Sequence, residues 1–528
     1  FWLKWLLRFS HSIGNYHSRS SHRTPQGDAE RPRSKLYFPK KIAAIDSSRI
    51  EFETMPSSLR AFEHGSPAVI LSETGSIFGG SFNSFVIHLI LPLSICTCLL
   101  AYCALPSRSA EWPKGFGKFM VTYLSAWTLC VAADWLQGPY VYALYEAYGF
   151  RPHEIAQLFV AGFGSAMISS CFVGHLADRF GRKKGCVAYC LLYIFSCATK
   201  HWKNYWILML GRITGGFATS LLFSCFECWM VSEHTCRHKF PNGLLSYMFG
   251  MKFTLMYLVA ITSGFMAQVG VDSLPFHAIG NGTLYVGGNT VAFDMSAGVL
   301  VFALLMVTLI WNENYGSSAT DEEVPEASHE GSLAEAWTIL SGSSTLLCLC
   351  ILIACFEGAM YAFVFNWTPS LETANESPPH GVVFALMMMA CMSGASTSTL
   401  ISEKIPSIQR LQLVAVLGVF AFAVAGLSAG HNTHVCFLAF LVFEFCVGIY
   451  FPSVGSLKSE LVPERVRATM YNMCRVPLNG VVVGLLLTNI TVIQCFRLCA
   501  LLLAVVFIAA LGVKRGSAEA APEATKMK

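Results

Sequence analysis

From residue 84 to residue 513 the chain repeats one unit, an apolar run of about twenty residues followed by a short polar link. A bilayer core about 30 Å thick is crossed by roughly 20 apolar residues in a helix. A helix also satisfies its own backbone in lipid, where no water is available to do so. Thirteen such runs are found, at 84–105, 117–145, 154–175, 185–200, 204–231, 245–270, 291–311, 339–368, 380–401, 410–428, 433–455, 467–488 and 492–513. Apolar residues make up 54% of the chain and charged ones 13%, against about 25% charged in soluble domains. The charge that remains is gathered in links and tails. These features exclude a soluble globular protein, and a net charge of +4, scattered along the chain, argues against nucleic acid as a partner. No His/Cys metal spacing, nucleophile elbow or phosphate loop is present, so the sequence does not read as an enzyme, and it implies no cofactor.

Orientation follows from Lys and Arg in short links, which stay on the cytoplasmic side. The link Gly174-His175-Leu176-Ala177-Asp178-Arg179-Phe180-Gly181-Arg182-Lys183-Lys184 packs four bases, one acid and a turn glycine between two runs. With that link inside, sixteen Lys and Arg fall on inner links, and only Arg151, Lys200 and Lys203 fall outside. Glycosylation sequons at Asn281, Asn375 and Asn489 then lie on outer links or at their edge.

The runs set out a domain plan. Residues 1–83 form a basic arm, read as disordered or as a misassigned upstream extension. An extra membrane helix and linker follow at 84–115, then a six-helix half at 116–311 and an acidic cytoplasmic linker at 312–338. A second six-helix half occupies 339–513, and a cytoplasmic tail 514–528. Positions 1–41 hold nine bases, two acids and six serines, a composition shared with organelle transit peptides. The linker holds Glu313, Asp321, Glu322, Glu323, Glu326, Glu330 and Glu335 and reads as solvated and flexible. Most of the 20 cysteines lie in apolar runs and read as small packing residues.

A charge deep in a membrane helix costs at least about 2.5–3.5 kcal/mol unless it meets water or a partner. Asp134, Arg212, Glu227, Lys252, Glu357, Glu444 and Arg475 all lie within runs. Setting the first run aside, Asp134 and Glu357 stand on runs one and seven, Glu227 and Glu444 on four and ten, and Lys252 and Arg475 on five and eleven. Their offsets are 223, 217 and 223 positions. An internal repeat of this kind places a site between the halves, near the midplane. Arg475 and Lys252 are candidates to hold an anion. Asp134, Glu227, Glu357 and Glu444 can balance them or take up protons; the alternative is a fixed set of ion pairs between helices. Asp178, Arg179, Gly181, Arg182 and Arg212 are candidate gating residues.

The pattern Gly-x-Leu-x-Asp-Arg-x-Gly-Arg-Lys-Lys at 174–184 resembles the signature between the second and third helices of the major facilitator superfamily. Narrower blocks are Ala132-Ala133-Asp134-Trp135-Leu136-Gln137-Gly138-Pro139-Tyr140, Leu221 to Trp229, Phe365-Asn366-Trp367-Thr368-Pro369, Gly448-Ile449-Tyr450-Phe451-Pro452-Ser453 and Arg475-Val476-Pro477-Leu478. Together they resemble the eukaryotic molybdate-anion transporter family. The extra first run also fits that family. The resemblance covers about 84–513, and the link Ser393 to Arg410 departs from the Asp-Arg-x-Gly-Arg pattern.

The resemblance implies an all-α major facilitator fold of two six-helix halves plus one extra N-terminal helix. It further implies uptake of molybdate, a tetrahedral dianion; the apolar runs make the lipid bilayer the medium, and the buried acids make protons a candidate second partner. The plasma membrane is the default location, and the basic arm keeps an organelle envelope open as the alternative. The residues alone support a carrier of a small polar solute, with sulfate, a carboxylate or a sugar as other cargoes. A non-transporting sensor on the same fold is the remaining reading.

Overall fold

The computed structural model describes residues 81–104, 112–170, 172–280, 282–315, 337–372, 377–462, 477–478, 480–488 and 490–526. The chain divides into residues 1–61, which lie outside this set, and a unit of 62–528, to which everything below refers. Arg475, the three sequon asparagines and the linker acids from Asp321 to Glu335 also fall outside the described residues.

The unit is almost wholly helical. Helix α1 is Phe82–Cys103. The first half then contains α2 Phe116–Gln137, a 3-10 turn Gly138–Tyr140, α3 Val141–Ala147, α4 Pro152–Ser170 and α5 Val173–Phe180. It continues with α6 Arg182–Thr199, α7 Tyr205–Ser232, α8 Asn242–Ser273 and α9 Val291–Ile310. The second half contains α10 Ser344–Leu371, α11 His380–Ile401, α12 Ser407–Ser428, α13 Thr433–Leu461, a helical stretch at 480–487 and α14 Val492–Lys526. Among the described residues ten helices are long and apolar enough to cross a membrane. Helices α4 and α6, 19 and 18 residues long, are less apolar and pack among them.

Local chemistry sets the helix ends. Asn204 caps α7, its Oδ1 accepting from the Trp206 and Ile207 N–H groups at 3.0 and 3.2 Å. Asn432 caps α13 through Val435 N at 3.1 Å. Pro139, which lacks a donor, coincides with the break between α2 and α3.

The basic link departs from expectation. Residues Val173–Phe180 form a two-turn helix, and the chain reverses at Gly181, whose φ of +114° favours glycine. Residues of the expected tail likewise continue α14 to Lys526.

The two halves repeat one packing plan. In the first, α2 packs on α9, α4 on α7, α6 on α7 and α6 on α9; in the second, α10 packs on α14, α11 on α13, α12 on α13 and α12 on α14. Glycines make the same crossing tight in both. A Cβ on Gly216 of α7 would collide with the Gly162 carbonyl of α4, and one on Gly448 of α13 with the Cys391 carbonyl of α11. Gly162 and Gly394, like Gly216 and Gly448, are 232 positions apart. Close backbone approach at small residues is how helices associate where burial from water gives no drive.

The halves meet toward the end opposite the basic link, here called the outer end. Trp135 contacts Phe384, Tyr142 and Phe159 contact Phe365, and Phe163 contacts Tyr361, with ring centroids 5.0 to 5.6 Å apart. A short hairpin, β1 His277–Ile279 and β2 Leu284–Val286, lies on this end with His277 opposite Val286. Beside it His201 Nε2 lies 2.8 Å from Asp294 Oδ1, and that hydrogen bond raises the imidazole pKa above its ordinary value.

Candidate functional site

Among the described residues, Lys252 and Glu227 form an ion pair. Lys252 of α8 points at α7, its Nζ 2.7 Å from Glu227 Oε2. The same ammonium lies 4.4 Å from the centroid of Trp127 on α2, an arrangement that helps hold a desolvated cation. The Lys252 side chain is 4% exposed and that of Glu227 is 43% exposed. The amine is therefore sealed behind its acid, and the acid faces open space.

Among the described residues the other acids have polar partners on neighbouring helices. Asp134 accepts from the Tyr193 hydroxyl of α6. Beside it Gln137 ties α2 to α9 through Ser296 Oγ at 3.2 Å, and Ser296 donates to the Ala133 carbonyl at 2.6 Å. Glu357 accepts from Tyr450 of α13 at 3.1 Å, and Tyr450 stacks on Phe356 at 3.8 Å. Glu444 is buried and faces the Cys391 thiol, which faces Tyr257 of α8. That chain of three runs from one half into the other. Arg475, which the repeat sets opposite Lys252, lies outside the described residues.

Arg212 sits in the α4–α7 seam, two turns from the outer end of α7. Its Nε donates to the Leu158 carbonyl at 3.1 Å and its guanidinium lies 4.9 Å from the Phe159 centroid. The Cβ position of Gly162 would fall 2.5 Å from its Nη2, so glycine there leaves room for the guanidinium.

The inner cluster is more extensive than its motif suggested. Arg182 Nε bonds Asp178 Oδ1 at 2.7 Å, and Nη1 donates to the Cys228 carbonyl of α7 at 3.2 Å. Arg179 instead lies 5.6 Å from the ring centroid of its neighbour Phe180. Glu313, read from sequence as a solvated linker acid, caps α6. Its oxygens accept from Lys183 N at 2.7 Å and Lys184 N at 3.3 Å. Arg182 N donates to the Asn314 carbonyl at 3.0 Å, and Trp229 Nε1 to that of Asn312 at 2.8 Å. A Cβ on Gly181 would lie 2.6 Å from the Glu313 carboxyl carbon. Gly181 thus serves the turn and the space for the cap. Glu313→Ala leaves two first-turn donors and a helix N-terminus without their carboxylate, worth about 1–2 kcal/mol. A lower midpoint of thermal unfolding in detergent is the expected result; an unchanged midpoint would refute the capping role.

The second half has a counterpart that the motif alone does not mark. Arg410 stands 228 positions after Arg182, at the start of α12. It is 4% exposed. Its Nη1 donates to the Ser398 carbonyl and hydroxyl at 3.1 and 2.7 Å, and its Nη2 to Ser407 Oγ at 2.9 Å. Its hydrogen-bond acceptors are neutral, and the acid that acts on it, Glu460, lies 50 positions further along the chain.

Two six-helix halves with a mirrored packing plan, an inner Asp-Arg cluster and buried ionic groups define a membrane transporter of the major facilitator class. Comparison with known proteins agrees. The family described as sugar transporters, 12 TM, matches residues 84–429. A molybdate-anion transporter of Xenopus laevis is 33% identical over 419 residues, covering 77% of this chain and 88% of that protein. One from Danio rerio is 31% identical over 398 residues, covering 71% and 79%. Among solved structures, a point mutant of the nucleoside transporter NupG aligns with a TM-score of 0.58 at 10% identity, covering 76% of this chain and 99% of that one. A D-xylose-proton symporter aligns at 0.56 and 11%, covering 75% and 96%; these two speak to the fold alone. The chain belongs to the molybdate-anion transporter family of the major facilitator superfamily.

Proposed function

We propose that this transporter carries molybdate into the cell across the plasma membrane by alternating access, the oxyanion being held by Lys252 and Arg475. The observation that carries this reading is the Glu227–Lys252 pair, in which a buried ammonium lies 2.7 Å from a half-exposed carboxylate. An arriving dianion offers Lys252 a better partner than Glu227 does, and guanidinium and ammonium groups suit a tetrahedral oxyanion. Relatives named for molybdate support the choice of cargo. Glu227, once displaced, is placed to take up a proton, which makes inward flux proton-linked. Asp134, Glu357 and Glu444 belong to the same polar interior and hold the helices that bear it. Asp178, Gly181 and Arg182, with Arg179 and Arg212, serve the gating.

The test is radiolabelled molybdate uptake in cells lacking their own uptake. Lys252→Ala and Arg475→Ala are each expected to lower uptake at least about tenfold, as fits loss of a charge-assisted hydrogen bond of about 1.5–3 kcal/mol. Unlabelled molybdate should compete better than sulfate, and outside acidification should raise flux. Uptake unchanged in both variants would overturn the site. Better competition by sulfate, a carboxylate or a sugar would overturn the cargo.

A further inference from the structure

At the outer end, beside the aromatic contacts between the halves, a neutral side chain of the first half hydrogen-bonds the backbone of the second. Gln268 lies on α8, in the first half. Its Oε1 accepts from the Tyr140 hydroxyl at 2.9 Å and from the backbone N–H of Gly381 at 2.8 Å. Gly381 is the second residue of α11, in the second half. Its N–H is one of the first-turn donors that no helix satisfies internally. The Gln268 amide is fixed in orientation, because its Nε2 donates to Asp272 Oδ1 and Oδ2 at 2.9 and 3.0 Å.

The backbones of α8 and α11 come close enough for this because both carry glycine. A Cβ on Gly264 would lie 2.6 Å from the Gly381 carbonyl oxygen, and one on Gly381 would collide with the Gly264 carbonyl. A cavity of about 590 Å³ is lined by Tyr140, Ala143, Gln268 and His380 together with Glu146 and Glu372. Tyr140 and Gln268, two members of the bridge, line this cavity.

We propose that Gln268 is the outer-gate residue of this carrier. While the outer end is closed, its amide caps α11 from the opposite half. For the outer end to open, α11 must leave α8 and the Gly381 N–H must give up the Gln268 oxygen, while Tyr140, in the same half as Gln268, stays with it and holds that oxygen in position. The Gln268–Gly381 bond is a hydrogen bond from a backbone N–H to a neutral amide, so it breaks with no change of charge on either partner; Glu146, Glu372 and His380 line the same cavity, with His380 Nε2 3.3 Å from Glu372 Oε1. The inference rests on the alternating-access reading and is independent of the cargo.

The experiment uses the full chain. Hydrogen–deuterium exchange is followed at the first turn of α11 in the wild type, Gln268→Leu and Tyr140→Phe. Loss of the acceptor in Gln268→Leu is expected to speed exchange at Gly381 about tenfold, equivalent to about 1.4 kcal/mol. Tyr140→Phe, which removes one hydroxyl, is expected to speed it less. A cysteine placed at Ala143 should react faster with a membrane-impermeant maleimide from outside in the Gln268→Leu background, measured against the same background without that cysteine. A general loss of packing would speed exchange in α12 and α13 as well, and the proposal requires those helices to be unaffected. Equal exchange at the α11 start and equal labelling in all three proteins would overturn the proposal. Neither readout needs molybdate, so a failure here is distinct from a failure of the uptake assay.

Discussion

Glu227→Leu is expected to harm the fold more than Lys252→Leu, although the two residues share one ion pair. The reason is the difference in burial, 4% exposure for the lysine side chain and 43% for the acid. Without the acid, a sealed ammonium is left with the Trp127 ring 4.4 Å away. An aromatic face is worth about 2 kcal/mol to a desolvated cation, whereas stranding one member of a buried pair costs about 3–5 kcal/mol. Without the lysine, the carboxylate still reaches open space. The double variant Glu227→Leu/Lys252→Leu should recover much of the loss, since no stranded charge remains. Thermal unfolding of the three proteins in detergent decides the order, and Lys252→Leu being the worst would sink the argument. Uptake separates structure from binding. If Lys252 holds the cargo, the double variant regains its melting point and stays inactive.

Gly448→Val is expected to be the most damaging single change in the second half. The new Cβ would meet the Cys391 carbonyl and lie 2.7 Å from the Ala395 nitrogen, both backbone atoms of α11. A side chain can rotate out of such a clash, but a helix backbone cannot. Overpacking costs about 1–3 kcal/mol in cores that can adjust, so about 3 kcal/mol or more is expected here. Gly455→Val, two turns along the same helix, meets nothing within 4 Å and serves as the control. Expression and monodispersity in detergent should fall for the first and hold for the second. Equal behaviour of the two would contradict the tight α11–α13 crossing. The change should also disturb Glu444, because that crossing sets the Cys391 thiol against it.

The class of fold is plain in the sequence because lipid enforces it: thirteen apolar runs and a one-sided distribution of bases admit few other structures. Glu227 and Lys252 are marked there too, since a charge in an apolar run is conspicuous whatever its partner. Partners are harder to read. Glu313 looks like one more acid in an acidic linker, and its capping of α6 joins positions 130 apart with no periodicity between them. Arg410 escapes notice because its acceptors are serines and a carbonyl, which leave no charge pattern. Gln268 is neutral and sits in an apolar helix, so only the geometry of α11 reveals it. The paired glycines at 162/394 and 216/448 are present in sequence at a constant interval. Their meaning depends on which backbones cross there. The partners of the acids are equally silent in sequence: the Tyr193 hydroxyl on Asp134 and the Tyr450 hydroxyl on Glu357 come from helices 59 and 93 positions away and carry no charge that a pattern could show.

The docking of α1 on α11 makes the two halves unequal. Thr97 Oγ1 bonds the Met389 carbonyl at 3.2 Å and Ser393 Oγ at 3.0 Å, and Phe85 packs on His434 of α13 at 4.9 Å. The opposite flank of α1 presents Ile87, Leu91, Ile95, Leu99 and Tyr102, each more than half exposed. If α11 swings away from α8, α1 travels with it. One rocker then drags a larger lipid perimeter than the other, so bilayer thickness and stiffness would weigh unequally on its two resting positions.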